Sequence, residues 1–211
     1  MPTRTGVILA DSLPSRLHAL SALLLGLLLV LSGCGDEDGT SIDDQMRRGD
    51  PQGYIAGDGS IQVLAPAERQ TTITLEGVTL EGHPWSSADH SGEVVVINVW
   101  GSWCPPCVAE TPDLEQVAST LDDVDAPVQF IGVNYRDSVP SAFAFQRKFA
   151  VTYPSLQDDG GRTRAQLQGL AAATPTTMVL DRQGRLAARV SGQVEASTLR
   201  GLIDDILSED M

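Results

Sequence analysis

Basic side chains are scarce in this sequence. Fourteen Lys and Arg stand against 28 Asp and Glu, a formal net charge of -14 over 211 residues. Binding to a phosphate backbone needs a basic face, so nucleic acid is excluded as a partner. The acidity reads instead as a well-solvated surface. Histidine is scarcer still: His18, His83 and His90 are the three in the chain, and none has metal-ligand spacing. With three cysteines in all, a zinc site lacks ligands, and no metal or other cofactor is expected. No uninterrupted apolar run reaches the roughly 20 residues of a spanning helix. Internal repeats are absent, and no low-complexity stretch occurs beyond one leucine-rich run.

That run lies near the N-terminus. Arg4 and Arg16 precede an apolar stretch from Leu17 to Leu31, and Leu31-Ser32-Gly33-Cys34 follows directly. A charged start, a short apolar middle and small residues after it read as an export signal over residues 1–33, with an uncleaved anchor helix as the alternative. The last four residues resemble a bacterial lipoprotein signal, which implies lipidation of Cys34 and a globular part held at the extracytoplasmic face of the cell membrane. Losing Arg4, Arg16 and Asp11 leaves the remainder one charge more negative, so a covalent lipid rather than a basic patch must hold it there. Residues 34–66 read as an acidic tether. Asp36, Glu37, Asp38, Asp43 and Asp44 alternate with glycines and bury too little apolar surface to fold alone. Ile61-Gln62-Val63-Leu64 is a candidate edge strand within it.

From residue 67 to 211 strand and helix patterns alternate. Ile73-Thr74-Leu75 and Val78-Thr79-Leu80 flank Gly77 and predict a hairpin turning at that glycine. Val94 to Trp100 is a continuous apolar run, as in a strand buried on both faces. A helix is predicted over about 106–121, a strand over 128–133 and a helix over 141–150 packing through Phe143, Phe145 and Phe149. The strands 176–180 and 186–190 should form a hairpin through Asp181-Arg182-Gln183-Gly184. A final helix over 196–207 carries Leu199, Leu202, Ile203 and Ile206 at helical spacing. A β-α-β half followed by β-β-α predicts a mixed central sheet with helices on both faces.

With Cys34 assigned to the lipid, Cys104 and Cys107 form the one available internal pair. A structural disulfide usually closes a longer loop. Two cysteines separated by Pro105 and Pro106, between a buried strand and a helix, are placed for thiol–disulfide exchange instead. Haem attachment would require His after the second cysteine, where Val108 stands. Cys104 should sit exposed at the helix N-terminus, where unpaired N–H groups favour its thiolate, with Cys107 more buried.

The run VVVINVWGSWCPPCVAETP from Val94 to Pro112 resembles the thioredoxin superfamily. Together with Ile131 to Asp137, Thr174-Pro175-Thr176-Thr177 and Asp181 to Arg185, it more closely resembles the TlpA/ResA/DsbE family of membrane-tethered thiol–disulfide oxidoreductases. The likeness covers about residues 67–208. It implies a thioredoxin-like α/β fold with an N-terminal β-hairpin, and a redox pair in which Cys104 attacks and Cys107 resolves. It implies that Pro175 is the cis-proline lying against the cysteine loop, with Thr174 before it. It places Glu110 where related proteins carry an active-site glutamate able to move protons. Trp103 is expected to shield the pair or pack in the core, and Pro112 to kink the helix. Asn98 departs from thioredoxin, which has a buried aspartate there, so any proton relay falls to Glu110 or water.

The function implied is reduction of exported protein disulfides, with apocytochrome c as client and a membrane electron donor of the CcdA/DsbD kind, by a monomer. An oxidative-folding or peroxidase-type enzyme and a binding module whose redox change is incidental are the alternatives.

Overall fold

The computed structural model describes residues 55–209. Residues 1–33 and Cys34, assigned above to export and lipidation, lie outside the described residues. Eight strands are present among the described residues: β1 (Ser60–Val63), β2 (Glu76–Val78), β3 (Pro84–Ser86), β4 (Val94–Trp100), β5 (Val128–Tyr135), β6 (Ser155–Asp158), β7 (Thr176–Leu180) and β8 (Leu186–Ser191). The helices are α1 (Pro105–Asp122), α2 (Val139–Phe149), the short α3 (Arg162–Ala165) and α4 (Ala196–Ser208).

Six strands form one sheet in the order β1-β8-β7-β4-β5-β6. β4, β5 and β6 are parallel, and the remaining pairs are antiparallel. All seven residues of β4 are buried at the sheet's centre, which is why its sequence shows no alternation. The links β4-α1-β5 and β5-α2-β6 run the same way across the sheet, so right-handed crossovers put both helices on one face. The packing agrees. Val94, Val96, Phe130 and Val179 meet Leu114, Val117 and Leu121 of α1 and Leu199, Ile203 and Ile206 of α4. Further along the same face Trp100 packs at a tilt against Phe145 of α2, 4.7 Å between ring centroids, and Gln146 of α2 donates to Ser155. The opposite face, carrying Val95, Ile97, Val99, Ile131, Val133 and Met178, is covered by Ile73, Leu75 and Leu167 beside α3. The mixed sheet therefore carries helices on both faces.

Three local readings change. Gly77 is not a turn. It sits within β2 opposite Trp85, and the hairpin turns over residues 79–83, with Gly82 at φ +88°. Ile73 and Leu75 do not pair in that hairpin; both are buried in the core, and the Ile73 N–H donates to Gly184 O. β6 and α3 form an insertion that the sequence pattern did not suggest. The candidate edge strand exists as β1, paired with β8, so the sheet takes in residues upstream of 67.

Upstream of β1 the chain runs beside the start of β7. Ile55 O accepts the Thr174 N–H at 3.0 Å, and Gly59 N–H donates to Ser191 O at 2.8 Å. Between them Gly57 passes so close that an added Cβ would lie 2.3 Å from the Gly192 nitrogen.

Candidate active site

Cys104 is the N-cap of α1, and Pro105 and Pro106 are its first two residues. Proline is well suited to the first helical turn, where an N–H would be unpaired anyway. The loop consequently offers Cys104 Sγ one donor, the Cys107 N–H at 3.3 Å. The two cysteines form a disulfide with Cα atoms 5.3 Å apart, within the ordinary range. The expectation of an exposed Cys104 is corrected: both cysteines are 0% exposed. They belong to a cluster with Leu80, Trp100, Ala142 and Phe145, and Thr174 O lies 3.8 Å from Cys104 Sγ. A disulfide sulfur has no proton, so this is a packing contact that becomes an S–H···O interaction on reduction.

The Thr174–Pro175 peptide is cis. The Gly192 N–H donates to Pro175 O and the Thr176 hydroxyl to Ala173 O, fixing this loop against the sulfur. Trp103 is half-buried. Its indole N–H donates to Tyr135 O at 3.2 Å and Arg136 O at 3.1 Å, and Gly101 makes room for it, since a Cβ there would lie 2.6 Å from Trp103 Nε1. Asp137 holds the same segment by accepting the Ser102 N–H at 2.7 Å.

Glu110, one helical turn beyond Cys107, is 0% exposed. One carboxylate oxygen accepts from Asn98 Nδ2 at 2.8 Å, and the other from the Val194 N–H at 3.1 Å. Asn98 also donates to the Thr177 hydroxyl. Burial pushes the Glu110 carboxyl up to about 8, against the pull of the Asn98 and Val194 donors, which favour the charged form. At neutral pH Glu110 is therefore a protonated, hydrogen-bonded acid one turn from the redox pair. Pro112 lies inside α1, and the helix continues through it. Among the described residues no group of His, Cys, Asp and Glu is arranged to hold a metal ion, and no helix is long and apolar enough to cross a membrane.

The sequence singles out Cys104, Cys107, Trp103, Thr174, Pro175 and Glu110, and the fold gathers all but Glu110 around the disulfide, with Glu110 on the α1 face toward β4. It does not single out the Val194 N–H, a backbone group without a sequence signature, or Tyr135 and Arg164 beside the loop. As an arrangement the site supports two-electron exchange between a dithiol and a disulfide.

Residues 67–189 match the AhpC/TSA family. The chain is 30% identical over 145 residues to the thiol:disulfide interchange protein HelX of Rhodobacter capsulatus, covering 68% of this chain and 75% of that one. It is 30% identical over 115 residues to the thiol:disulfide interchange protein DsbE of Pseudomonas aeruginosa, 54% of this chain and 60% of that one. Among solved structures, a secreted thiol-disulfide isomerase from Corynebacterium glutamicum superposes with TM-score 0.67 at 31% identity, covering 74% of this chain and 97% of that one. A DsbF homologue from Corynebacterium diphtheriae superposes with TM-score 0.62 at 34% identity, covering 72% and 98%.

Proposed function

Because the chain belongs to the AhpC/TSA family and is a thiol–disulfide oxidoreductase of the DsbE/HelX/ResA type, we propose that it is a reductant of disulfides in exported proteins. Cys104, as thiolate, attacks one sulfur of the client disulfide, and the other client sulfur leaves as a thiol. Cys107 then attacks Cys104 Sγ and releases the second client thiol. Two electrons pass to the client, and the protein is left with the Cys104–Cys107 disulfide. A membrane dithiol donor of the CcdA/DsbD kind restores the dithiol. The chemistry uses the cysteine pair alone, with no cofactor.

The direction rests on one observation. Pro105 and Pro106 carry no N–H, so the Cys107 N–H is the single loop donor to Cys104 Sγ. Oxidants of the DsbA kind are strong because their reduced form is stabilised. This loop lacks such support, and its disulfide form is favoured. The test is equilibration of the purified chain against dithiothreitol and glutathione buffers. A potential near thioredoxin's, about -270 mV, supports the reading; one near DsbA's, about -120 mV, makes the protein an oxidative-folding catalyst. Cys107→Ser should trap mixed disulfides in cells. Stronger trapping by Cys104→Ser would reverse the two roles.

The place and client of this activity form the finer part of the proposal. The protein is anchored through a lipid on Cys34 at the extracytoplasmic face of the membrane and reduces the disulfide of apocytochrome c to thiols before haem attachment. Mass spectrometry of native protein with unmodified Cys34, or normal holocytochrome c in a deletion strain, would remove the anchor or the client respectively.

A further inference from the structure

Tyr135, Arg136, Gly160, Gly161, Arg164 and Ala172 line a cavity of about 480 Å³. Its floor is the buried Tyr135 ring, with the Arg164 guanidinium 4.2 Å and the Arg136 guanidinium 5.2 Å from the ring centroid. Arg164 is held in place. Its Nε donates to Ala171 O at 2.8 Å and its Nη2 to Ala172 O at 2.7 Å. Both acceptors are neutral carbonyls, so the positive charge is retained while the planar group is fixed, and Nη1 keeps donors for a further partner. The glycine and alanine walls leave the space above it open.

Arg164 brings a positive charge to this cavity in a chain of net charge -14. A basic client segment would be drawn to the surface in general and oriented nowhere in particular. An acidic side chain is repelled by most of the surface and accepted here. The cavity is also in register with the sulfur. Ala172 on its rim is two residues from Thr174, whose carbonyl touches Cys104 Sγ at 3.8 Å. Trp103, next to Cys104, is bonded to the carbonyls of Tyr135 and Arg136. Two residues of chain span at most about 7 Å, and an extended client advances roughly 3.3 Å per residue.

We propose that this cavity binds the carboxylate of an Asp or Glu placed two or three residues from the reacting cysteine of the client. Arg164 sets the preference through a charge-assisted hydrogen bond, and Tyr135 holds the guanidinium flat against the floor. This deepens the reductant reading and rests on it.

The probe is a set of short peptides with an internal disulfide, carrying Glu, Gln or Lys at the second and third positions from the reacting cysteine. Each is mixed with the dithiol form of the full chain, and reduced peptide is followed by chromatography. The Glu peptide should react about tenfold faster than the Gln peptide at low salt, with the gap closing as salt rises. The Lys peptide should be slowest. Arg164→Gln should abolish the ratio of the Glu rate to the Gln rate. Equal Glu and Gln rates with the natural protein would overturn the inference. So would an Arg164→Gln variant that slows every peptide alike, because that is the effect of losing the two carbonyl bonds. No reaction with any peptide would remove the reductant reading, and this inference with it.

Discussion

Glu110 is the residue whose behaviour departs furthest from that of a surface carboxylate. Its folded value, about 8, lies above the ordinary 4.5, so the native state holds a proton that the unfolded chain releases between those limits. Stability is therefore full at low pH and is lost as pH rises from about 4.5 through 8, at up to about 1.4 kcal/mol per pH unit. Urea unfolding of the natural protein from pH 5 to 9 should show this slope, and Glu110→Gln should flatten it. The same variant should cost about 1–3 kcal/mol at pH 5, because its amide nitrogen replaces one acceptor oxygen and either the Asn98 amide or the Val194 N–H is left facing a donor. Asn98→Ala removes a donor to the charged form and should move the Glu110 midpoint further up, extending the slope to higher pH. Any repulsion of a nearby thiolate by Glu110 is confined to pH above about 8, so the effect of Glu110→Gln on Cys104 titration should appear on the alkaline side. Both Asn98 and Glu110 stand out in the sequence, but their bond does not. They sit on a strand and a helix, and the fold brings them together. Arg164 was invisible for another reason: an arginine among Gly, Gln and Ala reads as a solvated surface residue until Tyr135 is placed beneath it.

At the scale of elements, local pattern was enough where burial is uniform. β4 and the helices α1, α2 and α4 are readable because their apolar residues fill a strand or one helical face. β6 is not. Ser155-Leu156-Gln157-Asp158 becomes a strand by pairing in parallel with β5, a non-local bond with no local signature. The local pattern marks Gly77 as punctuation, yet it lies within β2, where a Cβ would approach Leu156 and Thr163 no closer than 3.6 Å. The turn before β2 is fastened by Arg69, which is almost wholly buried between Asp181 of the β7–β8 turn and Glu209 after α4, and which also donates to Leu64 O. Without Arg69, Asp181 keeps Arg185 and the Gln183 N–H, and Glu209 is partly exposed, so the loss is that of the charge-assisted bonds made by the buried guanidinium. Arg69→Ala should therefore cost about 1.5–3 kcal/mol in urea unfolding. Arg200→Ala, which breaks the exposed Arg200–Asp204 pair on α4, should stay within about 0.5 kcal/mol. Equal losses would mean that Arg69 does not fasten these elements.

Across the whole molecule, the segment ahead of β1 reaches the redox centre. A fragment begun at residue 67 would lose β1 and leave the β8 edge unpaired. It would also lose Ile55, whose carbonyl holds the Thr174 amide. The chain thus lays its own upstream backbone on the loop that touches the attacking sulfur, like a guest seated before the visitor arrives. A client that needs the Thr174 amide must evict it, so capture speed contains a local melting step, and each 1.4 kcal/mol by which the seated segment is stabilised slows capture tenfold. The seat is narrow at Gly57, where any side chain meets the Gly192 backbone. Gly57→Val in the full chain should unseat the segment and speed iodoacetamide labelling of Cys104 after reduction, whereas an unchanged rate would mean that the sulfur is reached by another way. The stretch of chain leading up to the sheet then sets how often the sulfur can be visited at all.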